Sequence, residues 1–213
     1  MKVLRVFLFF AAAATTLAQN FEVSAIGGLS RPSRSALGSL ADSGGADDDV
    51  TIKGDVGYGG RLTWNTKGYY GHEFGYLRTR GTLFAKIRDG SNVTERQGRV
   101  IMQHVFYNFM MYMMPNGERV RPFVTGGMTG VQYGEPNIAE WSRSKSRNYG
   151  FNYGGGLKFK FGHAIIRLDV RQHMTGKPYD LHFGSASSAT SPGIQSGGLL
   201  KHLEGTLGIG FGF

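Results

Sequence analysis

The sequence predicts an all-β fold in which eight antiparallel strands run up and down around a closed barrel, and three observations lead there. Eight segments alternate apolar and polar residues, short and long connections alternate between them, and 34 glycines with only six prolines favour tight turns between strands over a helical bundle. At 213 residues the chain is long enough for one domain with a full core and short for two. Beyond the N-terminus no stretch sustains helical periodicity.

The first element stands apart from the barrel. In residues 1–18, MKVLRVFLFFAAAATTLA, Lys2 and Arg5 precede an apolar run from Val6 to Ala14, and small residues close the segment at Thr16 and Ala18. This order reads as a secretory signal peptide cleaved after Ala18, because the apolar run is too short to cross a bilayer as a helix. The barrel domain is therefore expected over residues 19–213. There is no cysteine, so neither a disulfide framework nor a lipid-modified cysteine is available. Removing Lys2 and Arg5 lowers the formal net charge from +9 to +7. On an exported chain that excess points to anionic lipid or phosphorylated glycolipid and away from nucleic acid.

The expected strands are 21–28, 55–64, 69–78, 99–113, 121–131, 149–161, 164–173 and 200–213. Most reach the roughly 9 to 11 residues that a tilted strand needs to cross a bilayer. Connections at 65–68, 114–120 and 162–163 are short, whereas 29–54, 79–98, 132–148 and 174–199 are long, polar and rich in Ser and Gly. All short turns then lie at one end of the barrel, with both termini, and all long loops at the other. Asp89-Gly90 is a hairpin turn signal inside the second long connection, which predicts that its two strands run on past any membrane band.

Each strand separates two faces. Phe21, Val23 and Ala25 oppose Glu22 and Ser24; Val56, Tyr58, Leu62 and Trp64 oppose Asp55, Arg61 and Thr63. Phe74 and Tyr76 oppose Glu73, with His72 an exception on the apolar side. The fourth strand is apolar on both faces, and His104 and Asn108 mark its interior. Leu157, Phe159 and Phe161 oppose Lys158 and Lys160; Ile166, Leu168 and Val170 oppose Arg167, Asp169 and Arg171. The last strand sets Leu203, Leu207, Ile209, Phe211 and Phe213 against His202, Glu204 and Thr206.

Alternation alone does not say which face points inward, since a soluble ligand-carrying barrel would be apolar inside. Three features favour a transmembrane barrel with charges enclosed. Aromatic residues such as Trp64, Tyr69, Tyr70 and Tyr112 gather near strand ends, as interfacial girdles do. The polar faces balance the cations Arg61, Lys158, Lys160, Arg167 and Arg171 against the carboxylates Glu22, Asp55, Glu73, Asp169 and Glu204, as enclosure in a narrow lumen demands. Finally, an apolar terminal strand would be a sticky edge in water, but in lipid it must close on the first strand and face hydrocarbon.

With these features the chain resembles the eight-stranded outer-membrane barrels of the OmpA transmembrane-domain type, most strongly in YGGGLKFKFGHAIIRLDVRQ and HLEGTLGIGFGF. The resemblance implies a monomer in the cell outer membrane, surrounded by outer-membrane lipids and lipopolysaccharide. It also implies that Ile209, Phe211 and Phe213 are recognised by the outer-membrane assembly machinery. The peptidoglycan-binding domain of full-length OmpA has no counterpart in this sequence, so cell-wall tethering is not implied.

Candidate sites outside the lumen are few. Asp42, Asp47, Asp48 and Asp49 offer oxygen ligands to a cation, but without EF-hand spacing they read as a solvated acidic loop. Arg143, Lys145 and Arg147 share one side of an extended SRSKSR run that could hold lipopolysaccharide phosphates or simply be solvated. His173 and Thr175 faintly resemble the His-x-Ser element of the lipid A deacylase, without an identifiable third group to orient the histidine. No phosphate loop, zinc motif or nucleotide fingerprint occurs, and no metal or cofactor is expected. The expected role is non-enzymatic: a charge-plugged barrel acting through four long extracellular loops, with a narrow gated channel as the alternative and a lipid A-modifying enzyme or soluble ligand carrier further off.

Overall fold

A computed structural model describes residues 21–33, 37–38, 50–66, 68–89, 92–138, 145–179, 181 and 199–213. The segment read as a signal peptide lies outside the described residues, as do Asp42, Asp47, Asp48, Asp49 and Arg143. Eight strands pair antiparallel in chain order and close into one barrel: β1 (Phe21–Pro32), β2 (Val50–Asn65), β3 (Tyr70–Asp89), β4 (Asn92–Tyr112), β5 (Val120–Tyr133), β6 (Ser146–Phe161), β7 (Ala164–Gly176) and β8 (Leu199–Gly212). Closure comes from β8 on β1, in a register that runs from Glu22 opposite Gly212 to Pro32 opposite His202. No strand edge is left open around the ring, which is the condition for a sheet to survive in hydrocarbon.

The three short turns share one end. Each contains a glycine in the left-handed region, Gly68 (φ 88°), Gly117 (φ 113°) and Gly162 (φ 61°), a conformation that residues with a Cβ resist. At the opposite end the structure bears out the strand extension that the Asp89-Gly90 signal predicted. The β3–β4 ladder continues from Tyr70 opposite Met111 up to Asp89 opposite Asn92, so residues 79–98 are the projecting half of a hairpin. Its last described pair, Asp89 opposite Asn92, includes the first residue of that signal. β2 likewise begins at Val50, because Val50 and Ile52 pair with Ala85 and Leu83 on that hairpin.

The interior has two storeys. On β4 the inward residues read, from the short-turn end, Tyr112, Met110, Asn108, Phe106, His104, Met102 and Val100, all buried. Below His104 the lumen is charged. Above it lies an apolar core of Val50, Ile52, Leu83, Ala85, Val100, Met102, Val131, Tyr133 and Leu200, to which Leu37, Tyr179 and Leu181 are added from the long connections.

The outer wall changes in step. Through the lower storey it carries exposed Val23, Leu62, Phe74, Tyr107, Phe109, Phe151, Leu168, Leu207 and Phe211. Beside the upper storey it carries exposed Lys53, Arg78, Arg80 and Arg99. The strand pattern therefore inverts partway up the barrel, from apolar-out and polar-in to polar-out and apolar-in. Hydrocarbon outside the lower storey and water outside the upper one account for both halves.

Candidate functional site

The inward faces of β1, β2, β3, β6, β7 and β8 bring the predicted charges together across the lumen. Asp169 accepts from Arg61 through both oxygens, at 2.5 and 3.1 Å, and pairs with Arg171 Nε at 2.9 Å and Arg167 Nε at 3.2 Å. Glu73 pairs with Arg167 and, at 2.6 Å, with Arg171 Nη2. Two carboxylates thus hold three guanidinium groups in a continuous chain.

Nearer the short-turn end, Lys158 Nζ donates to Glu22 Oε2 at 2.7 Å and to the Tyr112 hydroxyl at 2.5 Å, while Asn65 donates to Glu22 Oε1 at 2.8 Å. On the long-loop side Glu204 lies 3.8 Å from Arg61 Nη2 and 3.4 Å from His173 Nε2. Aromatic faces complete the enclosure: Arg167 lies 4.2 Å from the Phe123 ring centroid and Arg171 4.9 Å from that of Phe106. Room for these groups comes from glycines that face them on the neighbouring strand. A Cβ at Gly75 would stand 2.2 Å from the Phe106 ring, and one at Gly154 would stand 2.9 Å from Arg171 Cγ.

The lumen network therefore consists of Glu22, Arg61, Glu73, Lys158, Arg167, Asp169, Arg171 and Glu204, all buried. Two expected members are corrected. Asp55 is exposed on the outside, because a β-bulge between Gly54 and Gly57 sets two residues opposite Arg80 alone and breaks the alternation that assigned Asp55 inward. Lys160 has the inward parity of Lys158 but lies at the short-turn rim, half-buried in a cavity lined with Arg119, Phe161 and Gly162, with no carboxylate partner among the described residues.

Three features escaped the sequence reading. Arg121 fills the short-turn mouth, 3.7 Å from the Tyr112 ring centroid, and donates to the carbonyls of Met114 at 3.2 Å and Gly68 at 3.0 Å. Its inward parity with Phe123 and Thr125 was the available signal. A histidine layer caps the charges, His104 meeting His173 and His202 edge to face at 5.5 Å each. Third is the apolar upper storey.

His72, the exception on the outer face, is part of an aromatic girdle. Its Nδ1 is 2.8 Å from the Tyr107 hydroxyl, and it packs against Trp64 and Phe109 at 5.8 and 5.6 Å. Ile209, Phe211 and Phe213 face outward and are 65%, 48% and 51% exposed, on the apolar outer wall. His173 and Thr175 point into the lumen and are fully buried, with His173 Nδ1 3.2 Å from Thr129 Oγ1. A lipid substrate on the outer wall does not reach them.

A closed ring of eight strands, enclosing paired charges and wrapped in exposed apolar side chains, satisfies the bilayer's demands on backbone and side chain at once. The fold is that of an eight-stranded outer-membrane barrel. Solved structures agree. The chain is similar to neisserial surface protein A (13% identity, TM-score 0.58, covering 91% of this chain and 97% of that one). It is also similar to OprG of Pseudomonas aeruginosa (11%, 0.58, 92% and 96%) and to the N-terminal barrel domain of Pseudomonas aeruginosa OprF (15%, 0.51, 92% and 98%). No family model matches the sequence, and no curated protein does. At these identities the outer-membrane barrels share a fold with this chain, and its lumen has to be read on its own residues.

Proposed function

We propose that the chain is a non-enzymatic outer-membrane protein in which the barrel is a sealed scaffold and the long-loop end carries surface interactions. The observation that supports this reading best is the cross-lumen chain Glu73–Arg171–Asp169–Arg61, which links β3, β7 and β2 through the barrel's centre. Breaking a link takes one partner from two buried charges that have no water to replace it, so the network resists opening. The apolar storey above it is a second seal. Assembly would proceed through the outward Ile209, Phe211 and Phe213 of the closing strand, and the long connections would face the cell exterior.

Planar-bilayer recording of the refolded full chain tests the seal. The expected record is a flat baseline at moderate voltage; persistent single-channel steps would overturn the plug. A second reading, a narrow gated channel, draws on Arg61, which is bound to Asp169 at 2.5 Å while Glu204 waits 3.8 Å away. Arg61 exchanging between these carboxylates would be the gate. That reading requires stepwise conductance that disappears in Glu204→Gln.

A further inference from the structure

The histidine layer is a cluster of titratable groups that a sealed scaffold does not use. His104 on β4, His173 on β7 and His202 on β8 are all buried, and His104 meets each of the other two edge to face with ring centroids 5.5 Å apart. Both nitrogens of His104, and Nδ1 of His202, find no hydrogen-bond partner among the described residues. A neutral imidazole keeps one nitrogen as an acceptor, so each ring can take up a proton. The groups around them that could neutralise it are few. Glu204 Oε2 on β8 lies 3.4 Å from His173 Nε2, and Arg61 Nη2 on β2, a further cation, lies 3.8 Å from Glu204 Oε1. Arg171 on β7 stands opposite Glu204 in the ladder, with Asp169 already paired to it. Tyr133 on β5 offers a hydroxyl, 2.8 Å from His202 Nε2. On the register rows of these residues β3, β5 and β6 bring Leu77, Val131, Asn148 and Asn152, and β1 brings Ser30, none of them charged. One carboxylate therefore serves three imidazoles. A first proton makes a His173–Glu204 ion pair, whereas a second places two like charges side by side in a layer closed to water.

A column of rings runs from this layer to the long-loop mouth of the barrel. His202 lies 6.1 Å from the Tyr133 ring, and Tyr133 meets Tyr179 at 6.0 Å. Tyr179 and Leu181, both from the β7–β8 connection, are packed into the apolar upper storey. The Tyr179 hydroxyl donates to Gly134 O at 2.6 Å, just past the end of β5. Its backbone lies in the left-handed region at φ 74°, which a residue with a Cβ keeps only where its surroundings hold it. The seat of Tyr179 thus depends on its contacts, and Tyr133, the ring next to the histidines, is one of them.

We infer that the histidine layer is an acid-operated latch: protonation beyond the first imidazole parts the contacts of His202 and Tyr133 and releases Tyr179 and Leu181 from the mouth of the barrel. Protons shift such an equilibrium by favouring one state over the other. They favour release, because water that reaches the parted layer solvates every imidazolium, whereas the latched layer has one carboxylate to offer. Neutral pH keeps the seat and acid frees it. Release needs only the upper storey to yield, so it goes beyond the sealed-scaffold reading and holds whether or not the charged storey conducts. The surface presented at the long-loop end then differs between acid and neutral surroundings.

The chain has no cysteine, so a nitroxide on Lys177→Cys, close to Tyr179, reports that segment alone by electron paramagnetic resonance. The full chain in phosphatidylcholine vesicles is expected to give an immobilised spectrum at about pH 7.5 and a mobile one at about pH 5, reversibly. A second label, on Glu118→Cys at the short-turn end, is expected to keep one spectrum at both. His104→Phe keeps a ring in the layer but removes a proton site, and should move the transition at least about one pH unit lower. Glu204→Gln removes the neutralising carboxylate and should move it higher. Should His104→Phe fail to insert, as scored by heat-modifiable gel mobility, His104→Gln carries the same expectation. An unchanged Lys177→Cys spectrum across that range, a transition that either variant leaves in place or moves the other way, or a Glu118→Cys label that loosens at the same pH would each overturn the latch.

Discussion

The lower lumen holds the three guanidinium groups of Arg61, Arg167 and Arg171 on Glu73 and Asp169, whereas the upper lumen packs Leu83, Val100, Met102 and Leu200 against Leu37 and Tyr179. Both storeys use the same eight-stranded wall, so backbone pairing does not separate them. What separates them is the medium outside. Where hydrocarbon wets the wall, apolar residues belong outside and the narrow lumen is left to polar groups that must satisfy one another. Where water wets the wall, the usual burial preference returns and apolar residues move in. The two cores should accordingly fail in different ways.

The largest effect is expected in the charged storey. Glu73→Ala leaves three buried guanidinium groups on Asp169 alone among the carboxylates that bind Arg167 and Arg171, and should cost about 3–5 kcal/mol, read from reversible denaturant unfolding in lipid vesicles. The comparison sharpens with Lys158→Met and Glu22→Leu made singly and together. Each single change leaves one buried charge, but the double change leaves none, so the double variant should be more stable than either single one. Equal additive losses would mean that the pair is hydrated and the storey is not sealed.

In the apolar storey, Leu83→Ala should cost about 3 kcal/mol through lost burial and a residual cavity, with no dependence on a second residue's charge. A smaller effect comes from Tyr179, buried in the long β7–β8 connection in a left-handed conformation (φ 74°), whose hydroxyl donates to Gly134 O at 2.6 Å. Burial raises its phenol well above the ordinary range. A raised acid contributes its full stability below the ordinary phenol pKa of about 10 and loses it as pH climbs beyond that value. Tyr179→Phe should cost about 1 kcal/mol at neutral pH and flatten the alkaline loss, as measured by protease sensitivity of the long-loop end against pH.

The sequence reading succeeded in the lower storey because one face of each strand was coherent. Glu22, Arg61, Glu73, Lys158, Arg167, Asp169, Arg171 and Glu204 all lie in uninterrupted alternating stretches. Upward, alternation continues but its chemical sense reverses at the rung of Arg78, Gln103, Gln132 and Arg147. A segment searched for one constant sense ends there, which is why β3 and β4 were bounded at 78 and 99, with only the Asp89-Gly90 signal pointing to their continuation, and why Val50 and Ile52 were left out of β2. Asp55 failed for a local reason, since a bulge adds one residue and nothing in VTIKGDVGYGG announces where it falls. The histidine layer was illegible because His104, His173 and His202 are far apart in sequence and meet only once the register is set.

The smallest expected effect isolates the rim. Lys158 and Lys160 differ by two residues, share one parity and carry the same charge, yet only Lys158 reaches a carboxylate, Glu22 at 2.7 Å. Lys160 sits where the ladder gives way to the Gly162 turn, its backbone N–H bonded to Arg119 O at 2.8 Å and its cavity open at the barrel mouth. A cation that keeps access to water has little to lose on removal, so Lys160→Ala should change stability by no more than about 0.5 kcal/mol. Lys158→Ala, which strands Glu22 in the lumen, should cost several times as much. Equal losses from the two lysines in the same vesicle unfolding assay would place the charged storey's lower boundary beyond Lys160 and make the rim part of the seal.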